Sequence, residues 1–218
     1  RSFEETNETM IVFDVKNYVN EETIIEHFKS NVDSIYIKNN NKFKLIYGKE
    51  KITQILDNKK YLVSPESFFQ VNTKQCVKLY NKVKSYINPS DKNILDLYCG
   101  AGSIGIYLSD DVRNIIGIEI NEMAVRDANE NIKINNLKNI QFLSGDSKDV
   151  LKKIDYNFDG VIVDPPRAGL SREAIDEIKK INPKKIIYVS CDPATLARDL
   201  KIFSDKYKVI EVNPLDMF

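Results

Sequence analysis

The sequence predicts an α/β protein, a doubly wound and mostly parallel sheet preceded by a small α+β segment. Three observations carry this reading. From Asn93 onward, short apolar runs near residues 94–98, 115–119, 139–143, 159–163, 185–190 and 207–212 alternate with amphipathic stretches. Such βα alternation with right-handed crossovers builds a parallel sheet covered on both faces. Seven of the eight glycines lie between Gly100 and Gly169, near strand ends where backbone must approach a ligand. Two runs stop at rigid turns, Asp164-Pro165-Pro166-Arg167 and Ser190-Cys191-Asp192-Pro193, which would stand at one rim of that sheet.

Residues 1–65 form the smaller segment, with strands expected at Thr9 to Val15, Ser34 to Lys38, Lys42 to Tyr47 and Lys51 to Leu56 and an amphipathic helix near Glu21 to Lys29. The only histidine, His27, lies in that helix with no acid or thiol at ligand spacing, so it reads as structural. Ser64 to Asn72 is a junction into the second unit, residues 66–218. Asn72 is placed to cap the next helix, with Gln75 at the capping-box position. Val77, Tyr80, Val83 and Ile87 mark its buried stripe, with Cys76 beside it as a small core residue. Phe68 and Phe69 read as core aromatics, whereas Gln70 between them and Val71 does not fit a core. Further on, the helix from Asn121 sets Val125, Ala128 and Ile132 on one side and charges opposite.

Composition narrows the function. With 42% apolar and 29% charged residues the chain is ordinary globular material. It has no apolar run of about 20 residues and no charged-then-apolar leader, so a cytoplasmic location without membrane contact is expected. Cys76, Cys99 and Cys191 form no C-x-x-C pair, which argues against a disulfide framework, a zinc site or an iron-sulfur site. Lys plus Arg equal Asp plus Glu, 32 each, so the chain lacks the basic excess of a protein that grips phosphates unaided. Arg1 in place of methionine and an end at Phe218 point to part of something longer.

The run Ile94 to Gly105 closes a strand, opens a helix and contains G-x-G-x-x-G, a dinucleotide fingerprint when taken alone. Asp96 shifts the reading. A carboxylate just before the turn suits S-adenosylmethionine, whose methionine part carries a sulfonium and an ammonium, better than two anionic phosphates. Glu119, ending the next strand, is placed to accept both ribose hydroxyls, and Asp146, after the third, to reach the adenine. Asp164 is fixed at the rim by two prolines, each of which locks its own φ and restricts its predecessor. Amino-directed methyltransferases carry a similar turn followed by an aromatic; here Arg167 follows, free for phosphate.

Cys191 sits where a strand ends and a helix begins, with Asp192 as cap and Pro193 in the first turn. The positive end of a helix dipole favours the thiolate there. Carbon 5 of a pyrimidine is a poor nucleophile. A thiolate adding to carbon 6 makes the ring enolate-like and able to attack a sulfonium methyl, after which a base removes the carbon 5 proton and the thiol leaves.

Together, S-F-F-Q-V-N (67–72), D-L-Y-C-G-A-G (96–102), D-P-P-R (164–167) and S-C-D-P-A-T-L-A-R-D (190–199) resemble the RNA (uracil-5-)-methyltransferase family, over roughly residues 42–218. The resemblance implies a Rossmann-like class I methyltransferase fold and formation of 5-methyluridine in transfer RNA or large-subunit ribosomal RNA. It implies Gln70, Tyr98, Ser103, Glu119, Asp146 and Asp164 around S-adenosyl-L-methionine, and Cys191 as nucleophile. Relatives begin with an oligonucleotide-binding β-barrel, and ribosomal members often add a four-cysteine iron-sulfur segment; this chain has neither. Relatives also continue past Pro214-Leu215-Asp216-Met217-Phe218 to a His-Val-Glu whose glutamate is the base. These 218 residues are therefore expected to bind the donor and form a covalent adduct without turning over, and to leave a sheet edge exposed. Ribosomal RNA is favoured by Tyr47-Gly48-Lys49 before a strand and by Ser64 to Asn72, and the target uridine must be unpaired or flipped out. Three rival readings stay open: a nicotinamide-dependent dehydrogenase, an RNA-binding domain with a vestigial donor pocket, and an amino-directed methyltransferase. Cofactor titration separates the first, and Cys191→Ala the other two.

Overall fold

A computed structural model describes every residue except 18, 155, 156 and 218. The chain opens with β1 (Ser2–Phe3), β2 (Glu8–Asp14), α1 (Glu21–Phe28), β3 (Ser34–Asn39) and β4 (Lys42–Gly48). Their strands form a sheet in the order β1-β2-β3-β4, with β2 and β3 parallel and α1 as the crossover between them. The Asn20 side chain starts α1 by accepting from the Thr23 N–H. A hairpin follows, β5 (Ile52–Leu56) and β6 (Lys59–Val63), closed by the two-residue turn Asp57-Asn58 with Asp57 at φ +50°. The sequence reading missed β1 and β6. An Asp-Asn turn between two apolar runs was the available signal for β6.

The second half runs α2 (Thr73–Ser85), β7 (Asn93–Leu97), α3 (Ser103–Tyr107), β8 (Asn114–Glu119), α4 (Glu122–Ile134), β9 (Ile140–Ser144), α5 (Ser147–Leu151), β10 (Gly160–Val163), α6 (Arg172–Ile181), β11 (Lys185–Tyr188) and α7 (Pro193–Phe203). The five strands are parallel, in the order β11-β10-β7-β8-β9. Winding proceeds outward from β7 to β9, then restarts on β7's other side with β10. The switch point therefore lies between β7 and β10, where ligands of open parallel sheets bind at the strands' carboxyl ends.

Alternating side chains feed two cores. Ile94, Ile115, Phe142, Ile162 and Ile187 face one way, onto α2 and α4, while Leu95, Leu97, Ile118, Val161 and Val163 face the other, onto Leu151, Ile175, Ile178 and Phe203. Ile94, Leu95 and Leu97 are wholly buried, each stabilising by about 1.5–3 kcal/mol. The hairpin joins the first core through Ile52, Leu56, Tyr61 and Val63. It is tied to α4 by Asp127, which pairs with Lys51 at 2.6 Å and accepts from the Ser67 hydroxyl. Asn131 accepts from the Leu62 N–H at 2.7 Å.

The expected strand at 207–212 does not form. Residues 208–216 run exposed, with Val209, Ile210 and Val212 at 56%, 90% and 67%. An open groove of about 590 Å³ lies between this segment and β11, so no ladder partner comes within reach. Among the described residues β11 pairs only with β10.

Candidate active site

β7 ends at Leu97, and the chain then turns through left-handed backbone at Tyr98 (φ +62°), Gly100 (+54°) and Gly102 (+78°). At Gly102 a Cβ would stand 2.3 Å from the Phe142 ring, so only glycine fits. At Gly100 a Cβ would meet nothing within 4 Å, which leaves open space above the turn. Tyr98 is a non-glycine residue held in this region, a conformation costing about 1–3 kcal/mol that concentrates at functional sites.

Glu119, at the end of β8, is held by backbone: Oε2 accepts from the Gly100 N–H at 3.0 Å and Oε1 from the Asn121 N–H at 2.8 Å. Each oxygen keeps a lone pair for a hydroxyl. The Tyr98 hydroxyl accepts from Ser147 at 3.3 Å, joining the turn after β7 to the start of α5. Asp146 caps α5, with Oδ1 accepting from the Lys148 N–H at 3.1 Å and Oδ2 3.4 Å from Lys148 Nζ. The Ser103 hydroxyl accepts from Tyr80 of α2 at 2.7 Å. Gln70 is half-buried, on a loop anchored by Phe69, whose ring packs 5.3 Å from Tyr61 and 6.0 Å from Phe3. Phe68 corrects the core assignment: it is 74% exposed, because adjacent side chains of this extended loop point opposite ways and Phe69 takes the interior.

Asp96 also departs from expectation. Rather than facing the crevice it is wholly buried, with Oδ2 accepting from the Gly105 N–H at 3.0 Å and Oδ1 without a hydrogen-bond partner among the described residues. Burial, then the nearby Asp164 carboxylate, pushes Asp96 up to about 7. Asp164, at the end of β10, is raised to about 6 by burial. Buried acids short of positive partners fit a cationic ligand such as S-adenosylmethionine and oppose a pyrophosphate. Tyr98, Glu119, Asp146 and Asp164 would hold such a group. Among the described residues no cluster of His, Cys, Asp or Glu could bind a metal ion, and no helix is long and apolar enough to cross a membrane.

Of the three thiols, Cys76 and Cys99 are buried and Cys191 is exposed. Burial pushes Cys76 up to about 12 and Cys99 well above the usual thiol range, so neither is available as a thiolate. The turn that presents Cys191 is rigid. Ser190 Oγ accepts from the Asp192 N–H at 3.1 Å, and Asp192 Oδ1 accepts from the N–H groups of Ala194 and Thr195 at 3.0 Å each, capping α7. Strand order thus sets Cys191, Asp164, Tyr98, Glu119 and Asp146 in sequence along one rim, with Ser103 and Gln70 contributed by α3 and by the loop before α2. The sequence reading quoted Arg198 and Asp199 within the 190–199 run but gave them no role; they pack behind this rim. Their spacing from Thr195, three and four residues along one helix face, was the signal.

A family model described as tRNA (Uracil-5-)-methyltransferase matches residues 16–218. The chain belongs to that family. RNA methyltransferases of Clostridium tetani and Caldanaerobacter subterraneus, both described as uncharacterized, are each 42% identical over 179 residues, 81% of this chain. The aligned part is 39% and 40% of those proteins, so the chain spans about two fifths of the length of these curated relatives. The crystal structure of Pyrococcus abyssi tRNA (uracil-54, C5)-methyltransferase in complex with S-adenosyl-L-homocysteine superposes with a TM-score of 0.84 at 37% identity, covering all of this chain and 55% of that one. A tRNA m1G37 methyltransferase of M. jannaschii shares the fold alone, with a TM-score of 0.61 at 16% identity over 94% of this chain and 66% of the other.

Proposed function

We propose that the protein transfers a methyl group from S-adenosylmethionine to carbon 5 of a uridine in RNA, with Cys191 as the covalent nucleophile. The exposure of Cys191 carries this reading: the one accessible thiol stands on the rim shared with Asp164, Tyr98 and Glu119. Membership in the family and the likeness to the Pyrococcus enzyme support it. When bound, S-adenosylmethionine supplies an electrophilic methyl. Glu119 takes the ribose hydroxyls, Asp146 the adenine end, and Gln70, Tyr98, Ser103 and Asp164 the remainder of the donor. Cys191 Sγ adds to carbon 6 of the uracil, which places electron density on carbon 5; after methylation a base removes the carbon 5 proton and the C–S bond breaks. The Phe68 ring, exposed two residues from Gln70, offers a stacking surface for an unpaired base.

Ribosomal RNA is the first choice of substrate, on the Tyr47-Gly48-Lys49 and Ser64 to Asn72 segments, and transfer RNA the second, on the substrate of the Pyrococcus relative. We place the reaction in the cytoplasm. The test incubates the protein with S-adenosylmethionine and with ribosomal or transfer RNA carrying 5-fluorouridine, whose fluorine cannot leave as a proton does and so traps the adduct. A Cys191-linked RNA peptide in wild type and none in Cys191→Ala is expected. Tight nicotinamide dinucleotide binding without affinity for S-adenosylmethionine, or methylation that survives Cys191→Ala, would overturn the reading.

A further inference from the structure

Behind the rim, one carboxylate grips three segments of chain. Asp199 is wholly buried, and among the described residues its carboxylate accepts three hydrogen bonds and makes one ion pair. Its Oδ2 accepts from the Leu170 N–H at 2.8 Å and the Tyr188 hydroxyl at 2.7 Å, while Oδ1 accepts from Arg198 Nε at 2.8 Å and lies 2.7 Å from Nη2 as an ion pair. Arg198 Nη2 also donates to the carbonyls of Ala168 at 2.8 Å and Leu170 at 3.2 Å, and the Thr195 hydroxyl donates to the Arg167 carbonyl at 3.1 Å. One face of α7 is thereby strapped to residues 167–170, the far end of the loop that begins at Asp164. Pro165 and Pro166 stiffen the intervening chain, so fixing 167–170 fixes Asp164. Tyr188, held by the same carboxylate, lies three residues before Cys191. The approach is close: Gly169 sits at φ +74°, and a Cβ there would lie 2.5 Å from Asp199 Oδ2 and 2.6 Å from Arg198 Nη2.

Arg198 is half exposed, so its charge alone adds only modest stability to the pairing with the buried Asp199. What a guanidinium fork adds is direction, because its donors are coplanar and fixed. We propose that Arg198 and Asp199 are positioning residues that hold the Asp164 loop and the Cys191 turn in one relation, so that the thiolate meets its acceptor carbon in line. Neither residue touches the reacting atoms. The proposal rests on Cys191 being the nucleophile.

The experiment measures covalent adduct formation at saturating 5-fluorouridine RNA for wild type, Arg198→Gln, Arg198→Lys, Asp199→Asn and Cys191→Ala, alongside affinities for the RNA and for S-adenosylhomocysteine and the melting temperature. Arg198 is half exposed, so its variants keep the test available should Asp199→Asn not fold. Arg198→Gln is expected to slow adduct formation roughly tenfold to a hundredfold, as misalignment by about an ångström does. Both affinities should stay within about threefold, the melting temperature should hold, and Arg198→Lys, which keeps charge without the fork, should fall between. Unchanged rates in Arg198→Gln and Asp199→Asn, or slowing that only tracks lost affinity or lost stability, would overturn the clamp. Wild type without adduct, or adduct in Cys191→Ala, would instead overturn the nucleophile assignment and the clamp with it.

Discussion

Asp96→Asn is the substitution whose effect can be worked furthest from the structure. Asp96 is wholly buried, is raised from 3.8 to about 7, and has one oxygen paired with Gly105 N–H and one without a partner among the described residues. A carboxyl whose folded value lies above its unfolded value stabilises the fold while protonated, and that contribution is lost as pH rises toward the folded value. At about 1.4 kcal/mol per pKa unit, the loss between about pH 4.5 and about pH 7.5 is roughly 3 kcal/mol. Asp164, raised to about 6, adds a loss of the same sign that ends earlier. In Asp96→Asn the amide oxygen can still accept from Gly105, and only the Asp164 part of the slope remains. Urea unfolding of both proteins across that range measures the difference directly, and other titrating groups cancel in the comparison. Near pH 7.5 the variant should be the more stable one, by about 2–3 kcal/mol. Parallel pH profiles would refute the assignment of Asp96 as a buried acid held away from its unfolded value.

The same acids predict that S-adenosylmethionine binds more tightly as pH rises from about 5.5 to about 7.5, with a weaker trend for S-adenosylhomocysteine, which lacks the sulfonium charge; calorimetric titration compares the two. Under native conditions iodoacetamide should label Cys191 and spare Cys76 and Cys99 until the chain unfolds, as peptide mass spectrometry would show. Gly102→Ala should cost about 2–4 kcal/mol in urea unfolding, from a left-handed backbone together with a methyl driven into the Phe142 ring. Asp127→Ala should cost about 1–3 kcal/mol by the same measure, since it leaves the buried Ser67 hydroxyl without its acceptor while Lys51 keeps Glu130 at 2.5 Å.

Much of the sheet was legible because periodicity and punctuation agreed. Five of the six strands expected after Asn93 are present within two residues at each end, and Asn72, Asn121 and Asp192 cap the helices they precede. The sixth, at 207–212, shows what pattern cannot supply: alternating apolar residues encode a strand only where a neighbour offers its hydrogen bonds. At the site, residue type and position at strand ends told which side chains share the rim. They could not tell which acid is sealed beneath it, since Asp96 and Glu119 both stand near the ends of apolar runs and only the packing of α3 over β7 separates them. Phe68 and Phe69 were indistinguishable for a similar reason. Arg198 and Asp199 stayed hidden because their partners, residues 167–170 and Tyr188, are distant along the chain and are met mostly through backbone atoms.

The left-handed backbone at Tyr98 has an energetic corollary. Glycine would adopt that φ without strain, and Tyr98→Gly would relax the turn while removing the ring that meets Ser147. A lineage selected for robustness alone would drift toward the smaller residue. The strain and the Ser147 contact therefore come together, and a chain that keeps the ring at this turn forgoes about 1–3 kcal/mol of resilience.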